Sequence, residues 1–182
     1  MSIVLATGNK HKVSEICHIL KQEIESFSCP VKEDRKTFEE NAIKKARFAS
    51  KKTGQIAIAD DSGLEVKCLN GKPGVRSARF AGPNPTSEKL CKKLLKVMSN
   101  CKNRKAQFVC VIAIVYPDGK IKTLKGISKG KIIFEMKGTN GFGYDPVFIP
   151  NGYKKTFAQM KPEMKNRLSH RGKALRKLKA IL

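Results

Sequence analysis

The chain has 182 residues, of which 40% are hydrophobic, and we interpret residues 1–182 as one globular domain rather than a disordered chain. No apolar run approaches the roughly 20 residues that a membrane-spanning helix needs, so we expect no membrane partner. Lysine and arginine total 38 against 15 acidic residues, a formal net charge of +23, which predicts an anionic partner.

The basic residues do not by themselves indicate a nucleic-acid-binding protein. Thirty of the 38 are lysine and only eight are arginine, the residue that usually recognises phosphates and base edges in a bidentate way. They are spread over every segment, and no aromatic RNA-binding motif accompanies them. We therefore favour a lysine-rich composition with a phosphate-attracting cleft, although the charge does not exclude nucleic acid.

The cysteines and the N-terminus predict a cytoplasmic location. None of the six cysteines forms a CxxC pair, and Cys17 and Cys110 fall within apolar patterns, where a reduced cysteine packs as a small hydrophobic residue. We infer a reducing compartment. The start "MSIVLATGNK" has neither a basic region nor a small-residue cleavage site, so we expect no signal peptide.

The first part of the chain predicts a strand, a polar turn and a helix. The apolar run "SIVLAT" (2–7) is typical of a strand, and "TGNKHK" follows it as a turn. Apolar residues then recur at helical spacing, at Val13, Ile16, Cys17 and Leu20. Residues 26–32 are a candidate second strand.

The next segment predicts a helix over 37–54, then two short strands. Thr37 and Glu40 fit a capping box, and Gly54 fits the C-terminal cap of the same helix. The strands are predicted at 56–60 and 63–69, and a loop rich in glycine and proline follows at 71–85.

The second half of the chain adds an antiparallel pattern and a helical tail. We predict a helix at 86–98, followed by strands at 106–116, 120–128 and 129–135. A glycine-rich loop then leads into a short strand within 138–150. Helices are predicted from Pro162 onward, and Ser169 is the candidate N-cap of the second one. The mixture of βαβ units with a meander predicts an α/β fold with a mixed sheet.

The turn from Thr7 to Lys12 is a candidate phosphate site. Unpaired N–H groups at a helix N-terminus carry partial positive charge, and Lys12 adds a full cation on the first turn. An ordinary strand-to-helix turn with an asparagine cap explains the same residues, so the motif alone does not decide between the two.

Two adjacent aspartates, Asp60 and Asp61, follow an apolar strand. Because side chains alternate along a strand, we expect them to point to opposite sides, with one facing a cleft beyond the strand. A carboxylate there suits a Mg²⁺ ligand or a general base. An Asx-turn completed by Ser62 and Gly63 is the structural alternative.

Three further features have both a structural and a functional explanation. Glu40 fits the capping box with Thr37 better than it fits a metal ligand placed beside Asp61. The loop "GFGYDP" (141–146) suits either stacking on a planar base or aromatic packing on the core. Lys165, His170 and Arg171 suit either phosphate and base contacts or a solvated helix face.

The motifs together resemble a known family. "TGNKHK", "TFEENAIKKA", "IADDSGLEV", "GKPGVRSARFAG", "GFGYDPVF" and "KNRLSHRGKAL" follow one another in this order. This ordered set resembles the inosine triphosphate pyrophosphatase family over Ile3 to Leu175, essentially the whole chain. One departure is Gln159, where the family often has glutamate, and none of the contacts carried over involves that position.

The resemblance implies an elongated two-lobed fold with a central mixed β-sheet flanked by helices and an active-site cleft between the lobes. It implies a homodimer that uses Mg²⁺ to hydrolyse ITP, dITP and XTP to the monophosphate and pyrophosphate, which cleanses the nucleotide pool. Alternatives are a basic nucleic-acid-binding protein on the same fold and a related pyrophosphatase for other modified nucleotides.

The resemblance also implies roles for individual residues. Asp61 is the expected general base and metal ligand, and Glu40 is a further carboxylate at the metal. The expected nucleotide contacts are Thr7, Gly8, Asn9, Lys10, His11 and Lys12 at the triphosphate, Ser62, and Phe142, Gly143, Tyr144, Asp145, Lys165, His170 and Arg171 at the base and sugar-phosphate end. This interpretation fails if Asp61 is buried in the core, or if it is turned away from Lys12 with no shared cavity.

Overall fold

The computed structural model describes residues 2–181 and confirms the predicted α/β class. The strands are β1 (Ile3–Ala6), β2 (Glu25–Phe27), β3 (Ile56–Val66), β4 (Lys105–Val115), β5 (Ile121–Ile132) and β6 (Phe148–Pro150). The helices are α1 (Lys10–Leu20), α2 (Phe38–Thr53), α3 (Ser87–Val97), α4 (Pro162–Leu168) and α5 (His170–Lys179). Within the described residues, no helix is long and apolar enough to cross a membrane.

The strands form one mixed six-stranded sheet in the order β2-β1-β3-β4-β5-β6. The pairs β1–β2 and β1–β3 are parallel, and β5–β6 is antiparallel. The βαβ units of the first half of the chain give the parallel pairs, because a parallel connection needs a crossover. The prediction of a mixed sheet is therefore confirmed.

Two strands are longer than the sequence suggested. The segments predicted as separate strands at 56–60 and 63–69 form the single strand β3, and a 3-10 turn follows at Lys67–Leu69. The Asx-turn alternative for the aspartates is therefore wrong, because Ser62 and Gly63 continue the strand. The segments predicted at 120–128 and 129–135 likewise contribute to one strand, β5, which ends at Ile132, so the prediction was wrong for residues 133–135.

The helix ends follow local rules and agree with the predictions. Thr37 Oγ1 accepts a hydrogen bond from the N–H of Glu40 at 3.2 Å, and Glu40 Oε2 accepts one from the N–H of Thr37 at 3.1 Å. Gly54 ends α2 with a left-handed φ of 69°. Asn9 caps α1 in the same way, accepting from His11 and Lys12. The predicted capping box of α2 is confirmed.

The chain divides into two compact units. Unit 1 comprises the described residues up to Ser62, Cys110–Gly126 and those from His170 onward, and unit 2 comprises Gly63–Val109 and Ile127–Ser169. Strands β3, β4 and β5 contribute residues to both units. The single domain over residues 1–182 and the cleft between two lobes stay predictions.

Each unit has an apolar core of its own. The core of unit 1 consists of Leu5, Ile16, Leu20, Ile24, Ile56, Ile58, Cys110, Ile112, Ile114, Ala174, Leu175 and Leu178. The core of unit 2 consists of Leu64, Val66, Leu90, Cys91, Leu94, Met98, Ala106, Phe108, Ile132, Tyr144, Val147, Phe148, Phe157 and Met160. Both cores place the apolar faces of helices against the sheet strands, as the apolar periodicity predicts.

One pair of cysteines differs from the expectation of reduced thiols. Cys68 and Cys101 form a disulfide, and their Cα atoms lie 6.1 Å apart, within the range that a disulfide spans. Cys17, Cys29, Cys91 and Cys110 are free thiols. The sequence could not reveal the pair, because 33 positions separate the two cysteines and only the folded chain brings them together.

Gly126 on β5 lies directly against the backbone of α5, and this contact is testable. A Cβ at Gly126 would lie 2.1 Å from the carbonyl oxygen of His170 and 2.6 Å from the amide nitrogen of Ala174. Because both are backbone atoms of a helix, they cannot move aside easily. We expect Gly126→Ala to lower the free energy of unfolding by about 2 kcal/mol or more, measured by urea denaturation.

Gly8→Ala is the matched control, since a Cβ there meets no atom within 4 Å. We expect its stability to stay within about 0.5 kcal/mol of the unsubstituted protein. Equal losses of stability in the two variants would contradict the close packing of β5 against α5.

Candidate active site

A buried ion cluster around Asp60 occupies the middle of β3 in unit 1. Asp60 is 1% exposed, and its Oδ2 lies 3.1 Å from Lys12 Nζ and 3.3 Å from Arg171 Nη2. The backbone carbonyl of Asp60 accepts a hydrogen bond from Lys45 Nζ at 2.6 Å. One residue of the central sheet therefore holds cations from α1, α2 and α5.

The charges in this cluster are held ionised by one another. Burial raises the pKa of Asp60, but the charges of Lys12, Arg171 and Lys45 outweigh it and hold the pKa far below the usual range. Burial lowers the pKa of Arg171, but the carboxylates of Asp60 and Glu15 outweigh it and raise the pKa overall. A buried charge is tolerated only when it is paired in this way.

Asp61 has the opposite environment although it is the next residue on the strand. Its Oδ2 accepts from Asn41 Nδ2 at 2.9 Å, and its Oδ1 accepts from the N–H of Ser62 at 2.9 Å. Burial, reinforced by the charge of Glu33, raises the pKa of Asp61 to about 6, against the lowering effect of Lys45. A carboxylate with a pKa near neutrality is suited to work as a general base.

Asp61 is buried, but among polar groups rather than in the apolar core. It is 3% exposed, and its side chain is bound by Asn41 of α2. The charge of Lys12 lowers the pKa of Asp61. Lys12 Nζ itself lies 3.1 Å from Asp60 Oδ2, and a pocket that Asp61 shares with Lys12 stays a prediction.

Sequence reasoning missed Lys45, Glu33 and Asn41. Lys45 Nζ lies 2.5 Å from Glu33 Oε1, and burial lowers the pKa of Lys45 less than the charges of Asp60, Glu33 and Asp61 raise it. Asn41 and Lys45 are spaced i, i+4 and belong to the buried face of α2. Two polar residues at helical spacing on a buried face were the available signal.

The loop from Thr7 to Lys12 places exposed backbone N–H groups at the start of α1. Thr7 Oγ1 accepts from the N–H of Asn9 at 3.2 Å, and Asn9 Oδ1 accepts from the N–H groups of His11 and Lys12 at 3.0 and 3.2 Å. Gly8 and Lys10 are exposed. The structure therefore has the asparagine-capped turn, and the phosphate contacts of this loop stay predictions.

Glu40 is engaged in the capping box, as the local pattern indicated. Its Oε2 also accepts from Thr37 Oγ1 at 2.9 Å, and the side chain is exposed at the start of α2. The role of Glu40 as a metal ligand stays a prediction. Within residues 2–181 no group of three or more histidine, cysteine or acidic side chains is arranged to hold a metal ion.

The carboxylates of β3 are nevertheless oxygen donors of the kind that Mg²⁺ takes. The Oδ1 atom of Asp60 is buried and has no hydrogen-bond partner among the described protein atoms, and Asp61, which meets different neighbours, is a separate carboxylate donor. Mg²⁺ prefers hard oxygen ligands and is commonly held by one or two carboxylates, with waters and substrate phosphates completing its coordination. A cluster of three protein carboxylates is therefore not required.

His170 and Arg171 open α5 and are buried, so the alternative of a solvated helix face is wrong for both. Arg171 forms an ion pair with Glu15 of α1, and its Nη2 donates to Ser62 Oγ at 3.0 Å. Ser62 was expected to contact substrate, and in the structure it binds Arg171. The nucleotide contacts of Ser62, His170 and Arg171 stay predictions.

Unit 2 assembles the remaining predicted residues around the loop from Phe142 to Asp145. Asp145 Oδ2 accepts from the N–H of Phe142 at 2.9 Å and lies 2.7 Å from Lys165 Nζ. Lys165 Nζ also lies 4.6 Å from the centre of the Phe142 ring, a cation–π contact. Tyr144 packs in the core and donates from its hydroxyl to the carbonyl of Ser77, so core packing is right for Tyr144.

An α/β fold with a lysine on the first turn of α1, paired with a buried aspartate of β3, suits the class of proteins that bind phosphate groups. The profile of the Ham1 family matches residues 3–181, and the chain belongs to that family. The predicted resemblance is thereby confirmed, because relatives that match the whole chain are named dITP/XTP pyrophosphatases.

The relatives and solved structures match over nearly their full lengths. The dITP/XTP pyrophosphatase of Desulforamulus reducens is 49% identical over 100% of this chain and 96% of that protein, and that of Desulfotalea psychrophila is 50% identical over 98% and 83%. The Ham1 protein of Staphylococcus aureus has a TM-score of 0.89 at 42% identity, covering 100% of this chain and 97% of that one. A dITP/XTP pyrophosphatase from Mycobacterium abscessus has a TM-score of 0.81 at 39% identity, covering 100% and 99%.

The electrostatic contrast between the two aspartates is directly measurable. In the metal-free protein we expect Asp61 to titrate near pH 6, because burial and Glu33 disfavour its ionised form. Asp60 should remain ionised well below pH 3.8, because its cationic partners favour the charge. Carboxyl ¹³C NMR against pH measures both, and Asp61→Asn assigns the resonance.

Asp118, exposed in the turn after β4, serves as a reference carboxylate in the same spectra. Hydrogen bonds with Lys120 lower its pKa, so it should titrate well below Asp61. An Asp61 midpoint near 4, or equal midpoints for Asp60 and Asp61, would contradict the environments described here.

Proposed function

We propose that this chain hydrolyses non-standard purine nucleoside triphosphates, such as ITP, dITP and XTP, to the nucleoside monophosphate and pyrophosphate. The observation that carries the proposal is the Asp60–Asp61 pair. Asp60 is paired with cations, whereas the pKa of the neighbouring Asp61 is raised to about 6. Full-length relatives named dITP/XTP pyrophosphatases support the choice of substrate class. The acid anhydride between the α and β phosphates is the bond that breaks.

The triphosphate binds at the loop from Thr7 to Lys12. In this proposal the N–H groups at the start of α1, which Asn9 caps in the structure, and the partial positive charge of the helix N-terminus attract phosphate oxygens. Lys12 supplies a full positive charge there, held in place by Asp60. These groups stabilise the charge that develops on the departing pyrophosphate.

Asp61 is the general base. A water molecule attacks the α phosphorus in line with the leaving pyrophosphate, and Asp61 accepts the proton of that water. Asn41 fixes the orientation of the carboxylate through its 2.9 Å hydrogen bond. Lys45, whose position is fixed by Glu33 and the Asp60 carbonyl, adds a cation that limits how far burial raises the pKa of Asp61.

Mg²⁺ is the proposed cofactor, with Asp61 as ligand and with Glu40 as a further carboxylate once its hydrogen bonds to Thr37 are released. When bound, this ion would neutralise phosphate charge and align the triphosphate. In this proposal the ion does not accept the proton of the attacking water, which goes to Asp61.

We propose that the residues of unit 2 recognise the base. Phe142 offers a ring for stacking on the purine, and Lys165 offers a hydrogen-bond donor for a 6-oxo group. Adenine carries a 6-amino donor at this position, so the Lys165 ammonium would face a second donor there instead of an acceptor. Sites of that kind discriminate by factors of up to about 10⁴–10⁵.

We further propose a homodimer in the cytoplasm. Both statements rest on the resemblance to the pyrophosphatase family and on the cellular location of nucleoside triphosphates. The free thiols of Cys17, Cys29, Cys91 and Cys110 agree with a reducing compartment, whereas the disulfide between Cys68 and Cys101 is not typical of one. Gel filtration with light scattering tests the dimer.

A panel of nucleoside triphosphates, with and without Mg²⁺, tests the function. We expect pyrophosphate release from ITP, dITP and XTP that depends on Mg²⁺, and little release from ATP. We expect Asp61→Asn to reduce kcat by at least about 10²-fold while binding of ITP survives, because an amide cannot accept the proton. Release is measured by a coupled pyrophosphate assay and binding by calorimetry.

Asp118→Asn, the same change at an exposed surface turn, is the control and should leave kcat unchanged. Intact ITP after prolonged incubation with Mg²⁺ at neutral and alkaline pH would end the proposal. Turnover confined to other modified nucleotides would favour the alternative of a related pyrophosphatase with a different substrate class. A salt-sensitive nucleic-acid complex with no turnover would favour the alternative of nucleic-acid binding.

A further inference from the structure

Two side chains of α3 hold the peptide groups of Gly143 in unit 2. Ser87 Oγ accepts a hydrogen bond from the N–H of Gly143 at 2.7 Å, and Cys91 Sγ donates to its carbonyl oxygen at 3.4 Å. Ser87 and Cys91 are spaced i, i+4, which places them on the same face of the helix. Both polar backbone groups of Gly143 are thus bound by one helix face.

Gly143 is a position where such anchoring matters. Its φ of 62° is in the left-handed region, which glycine adopts readily and other residues rarely. Before Gly143, the N–H of Phe142 donates to the carboxylate of Asp145. After it, the side-chain hydroxyl of Tyr144 donates to the backbone carbonyl of Ser77. Anchoring Gly143 therefore completes the restraint of the backbone that carries the Phe142 ring.

The chemistry of Cys91 suits a hydrogen-bond donor rather than a reactive thiol. Its side chain is 0% exposed, and burial together with the nearby charge of Asp145 raises its pKa to about 12. The sulfur therefore keeps its proton at neutral pH and donates to the Gly143 carbonyl. A thiolate would instead repel that oxygen.

We propose that Ser87 and Cys91 are positioning residues for purine recognition, which fix the Gly143 peptide and through it the Phe142 ring. This inference rests on the proposed function, in which Phe142 contacts the base. Neither residue touches the reacting phosphates in this account. Their loss should weaken the binding of the purine base and reduce selectivity between bases, and it should leave the rate of the chemical step unchanged.

The first test is a split between KM and kcat. Losing one hydrogen bond from a restrained loop is worth about 1.4 kcal/mol, so we expect Ser87→Ala to raise KM for ITP about tenfold. We expect kcat to change by less than about twofold. Ser87→Thr keeps the acceptor oxygen, so its KM should equal that of the unsubstituted protein. Cys91→Ser keeps a hydrogen-bond donor, so its KM should also equal that of the unsubstituted protein.

Phe142→Ala supplies the decisive comparison. If Ser87 acts through the ring, Ser87→Ala should change KM little when Phe142 is already absent, which is strong non-additivity in a double-mutant cycle. Glu88→Gln, at the exposed position next to Ser87 on α3, is the control and should match the unsubstituted protein. Full additivity of Ser87→Ala and Phe142→Ala, or a fall in kcat with constant KM, would overturn the proposal.

Hydrogen exchange separates this inference from the function on which it rests. In Ser87→Ala, the Gly143 amide should exchange at least about tenfold faster while the amides of α3 keep their protection. Faster exchange with an unchanged KM would overturn the positioning role and leave the proposed function standing. A protein that turns over no nucleotide, with the same change in exchange, would remove the function and with it the role in recognition.

Discussion

The buried charge of Asp60 is the constraint on which the active site of unit 1 depends. An ionised carboxylate removed from water is costly unless cations and hydrogen bonds surround it, and here Lys12 and Arg171 supply those cations. The partners lie far apart in the chain, on α1 and α5. Satisfying one charge on the central strand therefore fixes the first and the last helix against β3, and with them the N-terminus that is proposed to bind phosphate.

The neighbouring aspartate shows how one strand supports two kinds of carboxylate. Successive side chains of β3 meet different surroundings: Asp60 meets cations, whereas Asp61 meets the amide of Asn41 and the repelling charge of Glu33. Burial acts on both, and the local charges decide the outcome, lowering the pKa of one and leaving that of the other raised. A pair of titratable groups with divergent pKa values is a sound basis for assigning acid–base roles. The same strand can thus hold its neighbours together and supply a base.

Features set by local rules were predictable from the sequence, and features set by distant contacts were not. The capping box of Thr37 and Glu40 and the turn at Asn9 depend on residues within one helical turn, and both were predicted. Strand β3 runs through Asp60 and Ser62 because α1, α2 and α5 satisfy their side chains, which no local pattern reveals. Lys45 is the clearest case: its spacing marks only a buried helix face, and its importance comes from meeting Asp60 across the fold.

The account is tested most directly by a crystal structure of the protein with Mg²⁺ and a non-hydrolysable ITP analogue that carries a methylene bridge between its α and β phosphorus atoms. We predict a metal ion about 2.0–2.1 Å from a carboxylate oxygen of Asp61, with the phosphates against Lys12 and the N-terminus of α1. Phosphates bound away from Lys12, or a metal ion with no contact to Asp61, would contradict the central claim that the two aspartates organise the reaction.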